Sequence, residues 1–228
     1  MFNQKTIIIL FVDRNRFQLY GGNLTGIVTL DIPETLMSDL DVVGRDGFYT
    51  FIKQLVKQYN IMGSQLVLVL SEATYFEKMF SMTERAQIET DVLKFFDMVP
   101  FETIWTKVYA TEKGKRAVAI NKTLYEAIHQ GFSLQGLPTK AVIPAFALGS
   151  YSSKRIMDHE LGEYVMKNLD SLIKQSLLDS QELSLVVPQE KKEERVVSKK
   201  SSNLPLLVGV LAVIFIILVI VIIMQFNQ

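Results

Sequence analysis

Residues 6–33 read TIIILFVDRNRFQLYGGNLTGIVTLDIP, and the change of apolar period inside this stretch decides the fold class. The run TIIILFV at 6–12 is rich in β-branched residues and almost continuously apolar, the pattern of a strand buried on both faces. The runs at 16–20 and 26–32 alternate instead, as strands with one wetted face do, and GGN at 21–23 supplies the turn between them. Pro33 ends the third strand because it brings no backbone donor. Three strands in a meander are predicted, the first of them interior.

Outward from this stretch the period switches repeatedly. Phe48, Phe51, Ile52, Leu55, Val56 and Tyr59 recur at helical spacing, with Asp46 as the expected N-cap and Gly63 closing the helix. QLVLVL at 65–70 is again apolar on both faces and belongs at the centre of the sheet. A second helix is predicted over 83–98, carried by Ala86, Ile88, Val92, Leu93, Phe95 and Phe96 and stopped before Pro100. A hairpin follows over 104–110 and 116–121 with Gly114 in its turn, then a helix at 124–132, a strand at 140–144 and a long amphipathic helix over 153–178.

The 49% hydrophobic content exceeds what one domain needs, and the excess is concentrated in LPLLVGVLAVIFIILVIVIIM at 204–224. A helix of this length covers the roughly 30 Å hydrocarbon core of a bilayer, with every backbone polar group paired internally. Lys191, Lys192, Arg195, Lys199 and Lys200 lie just before it and no charged side chain follows, so the N-terminal domain is expected on the cytoplasmic side of a membrane crossed once. Those five cations are also placed to attract anionic headgroups. The organisation predicted is a globular domain at 1–180, a charged tether at 181–203, the transmembrane helix at 204–224 and a short extracytoplasmic tail at 225–228. Gly209 with Ala212 offers a small-residue patch for pairing of such helices into a homodimer.

No cysteine is present, which excludes disulfides and thiolate metal sites. Lys and Arg number 24 against 24 Asp and Glu, so no global charge directs the chain to nucleic acid. Asp13, Asp31, Glu72 and Asp158 are the carboxylates a two-metal nuclease would have to gather, and surface positions are the simpler expectation for all of them. His129 and His159 share no ligand spacing and read as helix-surface residues. Gly21, Gly22 and Gly26 follow a strand without opening a helix, so they make a turn and not a dinucleotide fingerprint. Phe76, Phe80, Phe95, Phe96, Phe101 and Trp105 are read first as core. The loop expected at 75–82 (YFEKMFSM) is the candidate docking surface, through Tyr75, Phe76, Met79, Phe80 and Met82.

The passage at 82–149 carries a family resemblance. Val99-Pro100-Phe101 ends a helix, TIWTKVYA and KRAVAIN make a hairpin, a helix lies around 124–128, and Leu137 with Ile143-Pro144-Ala145 returns the chain to the sheet. This order resembles the actin-like, ribonuclease-H-like cytoplasmic proteins of type IV pilus and type II secretion assembly. The resemblance implies an α/β fold, a mixed βββαβ sheet with an αββα insertion, here a single lobe followed by the membrane helix. Nucleotide-binding members carry an Asp-x-Gly phosphate loop after the first strand and bind between two lobes. Asp13, Arg14 and Asn15 stand at that position here without a glycine, so no cofactor and no enzymatic activity are expected. The implied role is a scaffold that recruits platform proteins or the motor ATPase at the membrane. The alternatives are a pseudo-actin membrane adaptor in cell division or envelope assembly, and a membrane-tethered ATP-binding or nuclease-like enzyme.

Overall fold

β1 (Ile7–Asp13) lies inside a five-stranded sheet, antiparallel to β2 (Arg16–Gly21) and parallel to β6 (Gln65–Leu70). The structure is a computed structural model that describes residues 6–81 and 88–178. β3 (Val28–Asp31) pairs with the outer side of β2, and β10 (Thr139–Pro144) runs parallel to β6. The order β10-β6-β1-β2-β3, a meander continued by two parallel strands, makes the mixed sheet that was expected. A strand so placed has no wetted face, and Ile8, Ile9, Leu10, Phe11 and Val12 are all fully buried.

Alternate residues of β1 feed two cores. Ile8, Leu10 and Val12 face α1 (Arg45–Gln58) and α3 (Lys122–Ser133), whose Phe48, Ile52, Leu55, Ile128 and Phe132 complete one cluster with Phe17 of β2. Ile9 and Phe11 face α4 (His159–Lys167) and α5 (Leu169–Ile173), meeting Leu161, Val165, Leu169 and Leu172. Between β3 and α1 the chain adds a small hairpin, β4 (Met37–Ser38) with β5 (Asp41–Val42), where a loop was expected. The third meander strand is shorter than the alternation at 26–32 suggested.

Between β6 and α3 a second unit is inserted: β7 (Tyr75–Ser81), α2 (Ile88–Asp97), β8 (Ile104–Thr111) and β9 (Gly114–Asn121). The strands form a three-stranded sheet in the order β7-β9-β8. One face packs α2 through Phe80, Ile88, Val92, Phe95, Phe96 and Ala117. The other sends Tyr75, Val118 and Ile120 into the main core, so lobe and insertion share one interior.

Three local expectations are corrected. The stretch 75–82 is not a loop: 75–81 is strand, and its two buried side chains, Tyr75 and Phe80, have opposite parity and point to opposite cores, which hides the period of 2. The first helix is capped at Gly44 without a side-chain bond, and Asp46 instead sits in its first turn, where a carboxylate favours the helix dipole. The long helix over 153–178 is broken. Met157 N–H donates to the buried Gln18 Oε1 at 2.7 Å, Asp158 then caps α4 by accepting from Leu161 N–H at 2.8 Å, and Asn168 separates α4 from α5. After α5 the chain reaches the outer side of β10: Leu177 N–H donates to Val142 O at 2.8 Å, and Ser176 Oγ accepts from Val142 N–H at 2.9 Å. Among the described residues no helix is long and apolar enough to cross a membrane; the predicted tether, transmembrane helix and tail at 181–228 lie outside them.

Asn121 joins these parts. It is 4% exposed, its Oδ1 accepts from Leu124 N–H at 3.2 Å to cap α3, and its amide donates to Leu40 O at 3.1 Å and Asp41 Oδ1 at 2.8 Å. Asn121→Ala leaves the cap and the Leu40 carbonyl without these partners. We expect it to lower unfolding free energy by about 2–4 kcal/mol, read as a fall in urea midpoint at unchanged slope.

Candidate docking strand and the turn after the first strand

The loop after β1 is only Arg14 and Asn15, because Asp13 already pairs with Arg16. Neither is among the described non-glycine residues with positive φ, which are Asp39, Leu40 and Asn60. Phosphate cradles gather several backbone N–H groups by leaving ordinary dihedrals, and this tight hairpin does not open that way. Asp13 is not in a solvent-facing turn as the sequence suggested. It is 8% exposed, its Oδ1 accepts from Ser71 Oγ at 2.6 Å, and the Arg155 guanidinium lies 3.7 Å away. Ser71 links it to the first turn after β6, where Ser71 Oγ also accepts from Ala73 N–H at 3.3 Å.

The other acidic candidates each have separate structural work. Asp31 pairs with Arg16 at 2.9 Å, Glu72 opens a short 3-10 helix, and Asp158 caps α4 beside Lys154. The Lys154 ammonium first and the Leu161 N–H second hold the Asp158 carboxyl below the usual range. Among the described residues no three His, Cys, Asp or Glu side chains are grouped as a metal would need. His129 Nδ1 lies 3.0 Å from Thr139 Oγ1 and its ring stacks on Tyr125; His159 sets its ring edge-on to Tyr20, with Nε2 3.1 Å from Glu163. Gly21 and Gly22 take positive φ in the turn after β2.

β7 gathers most of the docking candidates, but only some of them reach solvent. Phe76 and Met79 are 40% and 42% exposed, whereas Tyr75 and Phe80 are buried and serve the core, which corrects their assignment to the surface. Met82 lies outside the described residues. Phe76 rests edge-on against Phe101 at 5.3 Å between ring centroids, so it is a supported aromatic rather than a loose one. Across an open groove of about 760 Å³ beside β7 stand Ile88, Asp91, Lys94 and Met98 of the helix side, Met98 being 68% exposed. The remaining aromatics of the group behave as core: Phe95 and Phe96 are buried, and Trp105 meets Tyr125 edge-on at 4.7 Å.

Sequence reasoning missed what holds this strand rigid. Arg116 lies opposite Met79 on β9, and its guanidinium donates to both oxygens of Glu77 at 3.2 Å. The same guanidinium covers the Phe146 ring at 4.5 Å, and Phe146 in turn packs against Tyr109. Phe146 N–H donates to Tyr75 Oη at 3.2 Å, and burial pushes the Tyr75 hydroxyl well above its usual range, with Glu77 adding to the effect. A planar cation that bonds a carboxylate while stacking on a ring ties the inner face of the strand to the turn after β10.

Gly114 begins β9 at φ +147°, and a Cβ there would sit 1.9 Å from Phe80 O. Gly114→Ala therefore forces β7 and β9 apart at that end, at a cost of about 1–3 kcal/mol. We expect faster amide exchange confined to 75–81 and 114–121, with β1 amides retaining native protection.

No protein-family model matches the chain, and no curated protein matches it. Solved structures similar to it include a PilM-PilN type IV pilus biogenesis complex, at 15% identity and TM-score 0.43, covering 62% of this chain and 48% of that one. Another is the cytoplasmic domain of EpsL, an inner membrane component of the type II secretion system of Vibrio cholerae, at 9% identity and TM-score 0.38, covering 63% of this chain and 59% of that one. A third is a Bacteroides thetaiotaomicron protein with an actin-like ATPase fold, at 7% identity and TM-score 0.35, covering 60% of this chain and 52% of that one. These neighbours are of the kind the passage at 82–149 resembles, and the chain spans about half the length of each.

Proposed function

We propose that this chain is a membrane-anchored, non-enzymatic docking subunit of a bacterial inner-membrane assembly platform of the type IV pilus or type II secretion kind. The observation that carries the docking role is β7: an outer strand with Phe76 and Met79 exposed on its two faces, braced on the lobe side by Arg116, which lies against Met79 and on Phe146. Rigid backing lowers the entropy lost when a partner docks. The anchor rests on the uncharged apolar run at 204–224 and its basic flank, and the platform on the residues quoted from 82–149. The non-enzymatic reading is supported by Asp13, whose carboxylate is committed to Ser71 and Arg155 at the end of β1. Holding a partner at the bilayer raises its effective concentration for neighbouring subunits without further contact area.

The full chain expressed in a bacterial host should resist carbonate extraction from membranes, and Val213→Arg with Ile217→Arg should release it. Detergent-solubilised chain should co-purify with pilus or secretion platform subunits, and Phe76→Ser with Met79→Ser should reduce their recovery at least tenfold. Recovery as a lone species from a host possessing such a platform would sink the docking role. Saturable binding of ATP and magnesium at micromolar concentration in calorimetry would sink the non-enzymatic one.

A further inference from the structure

β7 offers more than an exposed apolar pair, because no described strand pairs with its outer hydrogen-bonding edge. In the order β7-β9-β8 no described strand lies beyond it, and its four central residues, 76–79, are all exposed. The other outer strands are less available. The outer side of β10 meets Ser176 and Leu177, β8 is half-buried along most of its length, and β3 is four residues long, ending beside Pro33 with Asp31 held by Arg16. Short, charged or covered edges resist strand addition, and a longer exposed one invites it.

The charges on β7 select the incoming strand. Glu77 is neutralised in place by Arg116 on the face toward the lobe. Lys78 points to the opposite face, where its ammonium lies 5.3 Å from the Phe80 ring centroid, and it makes no ion pair among the described residues. Among the described residues the edge therefore presents one cation outside any ion pair, Lys78, set in the strand between the exposed Phe76 and Met79.

A second copy of this chain fits less well than a strand carrying a carboxylate. Two identical antiparallel strands pair about a two-fold axis normal to the sheet, which sets one residue opposite its own counterpart. The register that pairs all of 75–81 centres on Lys78 and opposes two ammonium groups; the register centred on Glu77 opposes two carboxylates; the register centred on Met79 avoids both but pairs only 77–81 and leaves Lys78 against Phe80 without a carboxylate. Like charges directly opposite each other destabilise a pair of strands.

Resting on the docking role proposed above, we infer that the outer edge of β7 takes an extended segment of a different protein, added antiparallel as a fourth strand with a carboxylate opposite Lys78. Apolar or β-branched side chains of that segment lie opposite Phe76, Met79 and Phe80. Main-chain hydrogen bonds supply the affinity, and the carboxylate sets register and partner choice.

The test uses the detergent-solubilised full chain and two synthetic capped heptapeptides, Thr-Val-Val-Asp-Thr-Val-Thr and the same sequence with Lys in place of Asp. The aspartate peptide should bind about tenfold more tightly, the two-sided difference between an opposite and a like charge in a cross-strand pair. Lys78→Glu, an exposed substitution, should reverse the preference, and bound peptide should slow amide exchange within 75–81. Absence of binding, equal binding of both peptides, an unreversed preference, or protection confined to other elements would each overturn the inference. If the charge preference fails while platform subunits still co-purify, the strand-addition mode is lost and the docking role stands; if co-purification also fails, the docking role goes with it.

Discussion

Everything in the described lobe depends on one strand having no access to water. β1 is flanked by β2 and β6 and covered on both faces, so each of its central side chains contributes to a core, alternately the α1/α3 side and the α4/α5 side. A strand of that composition could not be placed at an edge without exposing a continuous apolar row, which makes its central position obligatory. The parallel pairing with β6 then requires a crossover, and α1 provides it. The rest of the topology follows from satisfying that arrangement.

The insertion uses the same economy differently. Its sheet has one face against α2 and the other merged with the main core, so it behaves as an extension of the lobe and not as an appended module. Arg116 makes the joint specific: one guanidinium answers the carboxylate of Glu77, lies against Met79 Sδ at 3.3 Å and stacks on Phe146. Half-buried, the pair is shielded from screening more than a surface ion pair would be, which suits a part whose work is to hold geometry. This construction braces β7, and no described strand pairs with its outer side.

Much of this architecture is legible from residue order because it depends on periodicity. TIIILFV and QLVLVL announce interior strands, GGN a turn, and the hairpin around Gly114 its own register. What was illegible depends on side-chain partners distant in the chain. Gln18 meets Met157 across 139 positions, and that bond helps end a helical pattern that otherwise runs unbroken through 153–178. β7 was hidden because Tyr75 and Phe80 serve different cores, and a strand that splits its apolar residues between two interiors has no alternation to read. The carboxylate of Asp13 looked exposed beside Arg14, yet Ser71 and Arg155, one from another strand's end and one from the approach to α4, enclose it. Residue types thus identified a candidate docking segment, while the burial of Tyr75 and Phe80 decided which of its side chains a partner can touch.

The last described turn of chain has a mechanical meaning. Ser176 and Leu177 are fastened to Val142 from both sides, and Lys107 and the Tyr109 hydroxyl hold the carbonyls of Ser176 and Gln175. Tension drawn along the backbone from beyond Leu178 therefore arrives at two places together, the rim of the large sheet and the face of the inserted one. Load shared between parallel fastenings yields at a higher force than load borne by one bond at a time. The end of the described lobe is thus fastened to both sheets at once, as a cable is clamped where it leaves its housing.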